Sequence, residues 1–221
     1  MRQFLRRPVP FLLAAALTVG VAACGSDPKP TVDSLHGMVP SGADQQVGTF
    51  SLPDVSTGAK APTFTFRAQP RHVLAVYFGY TNCPDACPTA MADLATSIRK
   101  LPSADRARID VAFATVDPGR DTPIVLNAWI DHFYPAAGAN VHVLRSTDIT
   151  KLQAVLSAFG VDGQVIAHGK GGKVDVGHSA VTIFVDAHGV VRLGWPDGVT
   201  KAQMRDDLAT LLALYADPKK S

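Results

Sequence analysis

The stretch VLAVYFGYTNCPDACPTAMADLATSIRK, Val73 to Lys100, changes its periodicity halfway. Val73 to Phe78 is a continuous apolar run, of the length and kind that make a strand buried on both faces. It breaks at Gly79-Tyr80-Thr81-Asn82, after which Cys83 and Cys87 each precede a proline. Met91, Leu94, Ala95, Ile98 and Leu101 then recur three and four apart, which is helical spacing. The two cysteines therefore stand where a buried strand turns into a helix. At a helix start the free N–H groups and the dipole favour an anionic sulfur. If the helix already covers both positions, their i, i+4 spacing sets both sulfurs on one face. Such a pair either chelates a metal or closes a disulfide.

The chain around this stretch has 221 residues, 47% of them hydrophobic and 18% charged, which suits one domain with a proper core. All nineteen acidic residues are aspartates. Arg2, Arg6 and Arg7 carry the net charge of +2; without them eighteen basic residues face nineteen acidic ones. No basic run has interleaved aromatics, so nucleic acid is not an expected partner. Those arginines open residues 1–23, which read as an export signal. The uncharged run from Phe11 to Ala23 is shorter than the roughly 20 residues a bilayer span requires. Val21-Ala22-Ala23-Cys24 resembles a bacterial lipobox, with Cys24 the site of lipid attachment. The protein is then expected on the extracytoplasmic face of the cell membrane. Residues 24–48, rich in Pro, Gly, Ser and Asp, read as a flexible tether. His36 and Met38 within it could bind metal weakly, and the favoured reading makes them incidental. Cys83 and Cys87 are left alone in an oxidising compartment. A disulfide closing so short a loop adds little stability, which points to chemistry rather than to structure.

From residue 49 to 217 the pattern is that of one domain. Phe50 to Asp54 and Phe64 to Phe66 form a hairpin around Gly58, followed by the strand and helix above. Ile109 to Val116 is a second buried strand, and Thr122-Pro123 opens a helix to about His132. Val141 to Leu144 is a short strand. Ile149 to Phe159 is a helix with Thr150 and Gln153 as a capping box. Val181 to Val185 and Val190 to Leu193 pair across a turn. Thr200 and Gln203 box the start of a last helix, Lys201 to Tyr215. This order predicts an α/β domain of thioredoxin-like layout: a central mixed sheet flanked by helices, with an added N-terminal hairpin. The dithiol falls at the C-terminal end of the first central strand, where open α/β sheets place their sites.

Three motifs carry a resemblance. Tyr77-Phe78-Gly79-Tyr80-Thr81-Asn82-Cys83-Pro84-Asp85-Ala86-Cys87-Pro88-Thr89, Val116-Asp117-Pro118-Gly119-Arg120-Asp121-Thr122-Pro123, and His178-Ser179 before VTIFVD resemble, in order and spacing, the signatures of the Sco (SenC) family. The resemblance covers about Phe50 to Leu214. It implies a membrane-anchored, thioredoxin-like copper protein that matures the Cu-A centre of cytochrome c oxidase. It implies copper, as Cu(I) or Cu(II), bound by Cys83, Cys87 and His178, with Asp117 an auxiliary contact near the metal. The implied partners are the Cu-A-bearing subunit of the oxidase and a second exported copper chaperone.

The residue chemistry agrees with that implication. Two thiolates and an imidazole suit copper, and three ligands leave the ion open to a receiving partner, whereas structural zinc takes four. By chemistry alone either His168 or His178 reaches the dithiol; His178 is preferred because it stands at the mouth of a buried strand. His72, His132, His142 and His188 read as structural or solvated. Asp85 reads as a cap of the cysteine helix, and Arg120 with Asp121 as a pair holding a turn. The rival reading is a thiol–disulfide oxidoreductase that keeps oxidase cysteines reduced, with Cys83 and Cys87 as its redox-active dithiol. Thioredoxin-type catalysts, however, separate their cysteines by two residues, not three. A metallochaperone is not an enzyme in the usual sense, and a copper sensor or buffer is a third class.

Overall fold

The computed structural model describes residues 29–41, 43–58, 61–135, 140–161 and 180–216. Its centre is β3 (Val73–Gly79), buried along its whole length, beside β4 (Ile109–Thr115), equally buried. These two run parallel, and β5 (Val141–Leu144) continues the parallel set beyond β4. On the other side β6 (Thr182–Val185) and β7 (Val191–Trp195) pair antiparallel, giving the order β5-β4-β3-β6-β7. The added hairpin is β1 (Ser51–Pro53) with β2 (Thr63–Thr65). The helices are α1 (Ala86–Arg99), α2 (Ser103–Arg106), α3 (Pro123–Ile130), α4 (Ile149–Ala158) and α5 (Lys201–Tyr215). The mixed α/β architecture expected from the sequence is present, hairpin included.

Alternation along β3 builds two cores. Val73, Ala75 and Tyr77 face α1, α3 and α5 through Met91, Leu94, Leu126, Ile130, Leu208 and Leu211. Leu74, Val76 and Phe78 face α4 and the hairpin through Leu152, Leu156, Leu52 and Phe66. Each fully buried aliphatic or aromatic side chain of this kind contributes about 1.5–3 kcal/mol. That two-sided burial is why β3 reads as unbroken apolar sequence rather than as an alternating strand.

The starts of α3, α4 and α5 follow local side-chain chemistry. Thr122 Oγ1 accepts from Val125 N–H with Pro123 in the first turn, and Thr200 with Gln203 forms the expected reciprocal box. At α4 the expected Thr150–Gln153 box is replaced: Asp148 is the cap, accepting from Lys151 N–H at 3.0 Å. Thr150 lies inside the first turn. The sequence Ser-Thr-Asp-Ile-Thr offers several caps, and the charged one is used.

The described part of the stretch read as a tether lies against the domain. A single 3-10 turn spans Val32–Ser34, Met38 bridges Gly194, Gln46 bridges Val190, and Val47 is fully buried. His36 is not incidental: its Nδ1 is 2.8 Å from Asp207 Oδ1. Two further histidines fasten peripheral segments to buried aspartates in the same way. His142 Nδ1 lies 2.7 Å from Asp54, and His72 Nδ1 lies 3.0 Å from Asp110. Burial alone would raise the Asp54 carboxyl, but hydrogen bonds from His142 and Ser56 hold it below its ordinary value. Among the described residues no helix is long and apolar enough to cross a membrane.

Candidate metal and dithiol centre

The dithiol forms because β3 ends in a glycine. A Cβ on Gly79 would stand 2.9 Å from Cys87 Sγ, 2.9 Å from Tyr77 Cε1 and 3.1 Å from Phe113 Cε2. The strand end therefore has room for a sulfur only where a side chain is missing. We expect Gly79→Ala to cost about 1–3 kcal/mol by overpacking. Thiol accessibility measured beside denaturant unfolding would show the Cys87 sulfur displaced. An unchanged midpoint and unchanged accessibility would contradict this account.

Beyond Gly79 the chain turns through Tyr80 to Asn82, and α1 begins at Ala86. Cys87, the second residue of α1, is buried, and Cys83 just before the helix is half-buried; both are free thiols. Asp85 occupies the cap position, yet its carboxylate takes no capping hydrogen bond and instead meets Thr89 Oγ1 at 3.4 Å. The cap is sulfur: Cys87 N–H donates to Cys83 Sγ at 3.3 Å. Cys87 is the deeper of the two sulfurs. Burial, and then its hydrogen bond with Cys83, push its thiol up to about 12. Tyr77 and Tyr80 enclose the pair, Tyr77 bonded to Cys87 and Tyr80 to Cys83. Both phenols are pushed above their ordinary range, first by burial and then by the neighbouring sulfurs.

The loop after β4 braces this site. Asp121, fully buried, accepts from Thr81 N–H at 3.2 Å, Thr81 Oγ1 at 2.5 Å and Thr115 Oγ1 at 2.5 Å. It thus ties the cysteine loop to the end of β4. Arg145 closes the far side, donating to the carbonyls of Asp121 and Pro118, each at 2.8 Å. The pair expected between Arg120 and Asp121 is not formed. Arg120 bonds Asp117 instead, because Asp121 points inward to the threonines. Asp117 is itself buried and shares its carboxylate between the Arg120 side chain and Arg120 N–H.

The structure thus brings Cys83 and Cys87 together and places Asp117 in the adjoining turn. Among the described residues no three His, Cys or Asp side chains gather where one metal ion could be held. His178, His168 and Cys24 lie outside the described residues. The sequence reading had no role for Tyr77 or Tyr80, and it gave Asp121 a different partner. The tyrosines stand in the quoted motif beside Gly79, whereas the Asp121 contact with Thr81 joins positions forty apart, with no local signal.

A free dithiol at the end of the central strand of such an α/β sheet, one sulfur capping a helix and the other buried beneath it, defines a thioredoxin-like dithiol protein. The chain belongs to the SCO1/SenC family, whose model matches residues 40–213. It is 33% identical over 119 residues to a SCO2-like protein of Rickettsia conorii, covering 52% of this chain and 53% of that one. The chain spans about half the length of the curated relatives it matches first. The solution structure of apo Sco1 from Thermus thermophilus superposes with a TM-score of 0.61 at 27% identity, over 80% of this chain and 95% of that one. The crystal structure of yeast Sco1 with copper bound gives 0.63 at 22% identity, over 80% and 91%, a likeness of fold. The thioredoxin-like reading of the sequence is that of these neighbours.

Proposed function

We propose that this chain is a copper-binding protein of cytochrome c oxidase assembly, a metallochaperone that carries a copper ion on Cys83, Cys87 and His178. It would pass the ion to the Cu-A-bearing subunit of the oxidase, with a second exported copper chaperone as the source. Cys24, lipidated, would hold it at the extracytoplasmic face of the cell membrane. The observation that carries this reading is the unequal dithiol: one half-exposed sulfur at a helix start above one buried sulfur, in a family whose yeast member binds copper. Soft thiolates suit Cu(I), and an exposed first sulfur gives a receiving protein a point of attack. The ion's charge offsets the burial that keeps Cys87 protonated, so binding releases a proton and weakens as pH falls. Asp117, bonded to Arg120, would act through the turn rather than as a ligand.

A second reading rests on the sulfurs being hydrogen-bonded neighbours. As an oxidoreductase, the dithiol would give two electrons and two protons to a partner disulfide and close Cys83–Cys87. The dividing experiment is an anaerobic Cu(I) titration of the reduced full chain in detergent. Tight uptake of a first equivalent, lost in Cys83→Ser and Cys87→Ser and much weakened in His178→Ala, is the expected result. Failure to take up that equivalent, with ready cycling of the disulfide, would overturn it in favour of the redox role.

A further inference from the structure

We infer that His36 and Met38 form a second, weaker Cu(I) site on the strap that lies along β7. The inference rests on copper being the cargo of this chain, and it concerns residues away from the dithiol. The strap is fixed before any ligand arrives. Met38 N–H donates to the Gly194 carbonyl and Gly194 N–H donates back to Met38, each at 2.8 Å. Gly37 is pressed so closely on β7 that a Cβ would meet Gly194 O and Trp195 Cδ1 at 2.7 Å. The residues on either side of it are carried outward, the His36 side chain 38% exposed and Met38 56% exposed.

Asp207 determines which nitrogen of His36 is available. This carboxylate, fully buried in α5, accepts from His36 N–H, His36 Nδ1, Gly37 N–H and Trp195 Nε1. A carboxylate surrounded by four donors acts as acceptor only, so the proton on the ring sits on Nδ1. The imidazole is thereby held as the tautomer with a bare Nε2, the arrangement in which carboxylates orient metal-binding histidines. An imidazole nitrogen and an exposed thioether two residues apart are borderline and soft donors that select Cu(I) over hard cations. Two donors leave room for a third from whatever protein brings or takes the ion, which is how a weak transit site differs from a storage site.

The register sets its position. Tyr77 pairs with Thr182, Thr182 with Trp195, and Met38 bridges the adjacent Gly194. The strap crosses β7 at the end of the sheet where β3 delivers the cysteines, three strand spacings or about 14 Å across from β3. The two sites share one end of the domain without sharing a ligand. Ion transfer between them would exchange copper–ligand bonds and leave copper's oxidation state unchanged.

The test is an anaerobic Cu(I) titration of the reduced full chain carrying methyl-labelled methionine, read by NMR. The sequence has four methionines, and those at 91 and 204 are buried. After the first equivalent, the Met38 methyl is expected to shift with uptake of a second. Met38→Leu, at an exposed position, and His36→Asn, which keeps a donor towards Asp207 but removes Nε2, should each weaken that second equivalent at least tenfold and leave the first unchanged. A Met38 methyl that stays still through two equivalents, or a second equivalent that survives both substitutions, would overturn the site. Loss of the first equivalent with the Met38 response intact would fault the dithiol reading and sustain this one.

Discussion

Asp121→Ala is expected to lower the stability of the metal-free protein by about 3 kcal/mol, and to loosen the cysteine loop at the same time. The carboxylate is fully buried, and its removal strands Thr81 N–H, Thr81 Oγ1 and Thr115 Oγ1. Each buried donor left without a partner costs about 1–3 kcal/mol, and hydroxyl rotation or an entering water recovers part of the sum. For a domain of this size that corresponds to a fall in Tm of about 6–12 °C. Asp121→Asn, which keeps one carbonyl acceptor, should lose less. Denaturant unfolding followed by fluorescence gives the free energy, and the Cu(I) affinity of the same variants reports on the loop. A loss under about 1 kcal/mol for the alanine variant would mean that Asp121 braces nothing.

The second large effect is kinetic. In the reduced, metal-free protein Cys87 should be alkylated about a thousandfold more slowly than an ordinary thiol at pH 8, because the thiolate is the nucleophile. Its thiol is pushed from 9.0 to about 12, chiefly by burial. Cys83, half-exposed, should be modified first. Mass spectrometry of timed iodoacetamide reactions, with peptide mapping, separates the two. The linked effect on stability has a definite sign. The folded protein holds this proton more tightly than the unfolded chain, so the contribution is intact below about pH 9 and is lost as pH rises towards 12. Equal alkylation of both cysteines at pH 8 would show that Cys87 is not buried as described.

Much of this was legible in the sequence because the signals were local. The Val141–Leu144 strand and the Thr200–Gln203 box are as expected, since each depends on residues within a few positions of one another. The helix after the cysteines was legible from its apolar spacing, though not its sulfur cap, since Asp85 is the residue that capping preferences favour. Buried aspartates were the systematic miss. Asp207 gathers donors from a segment 171 residues away in sequence, and Asp54 binds a histidine 88 residues away. A lone aspartate in a helix or loop reads as a solvated charge until the fold brings its partner. For the same reason residues 29–48 read as tether from composition although the described ones among them are bonded to the domain.

The bridges made by that N-terminal stretch bear on how the protein survives crowding. A five-stranded open sheet has two raw edges, each a row of unpaired N–H and C=O groups able to recruit a strand from another molecule. Here one chain segment shields both: Met38 and Gln46 lie along β7, and Asp54 pairs with Leu144 on β5. Molecules concentrated on a surface would meet edge to edge often, and this shielding limits them to side-chain encounters. A fragment begun at Thr49 would keep the dithiol and the cover of β5 but leave β7 bare, and should self-associate where the full chain does not.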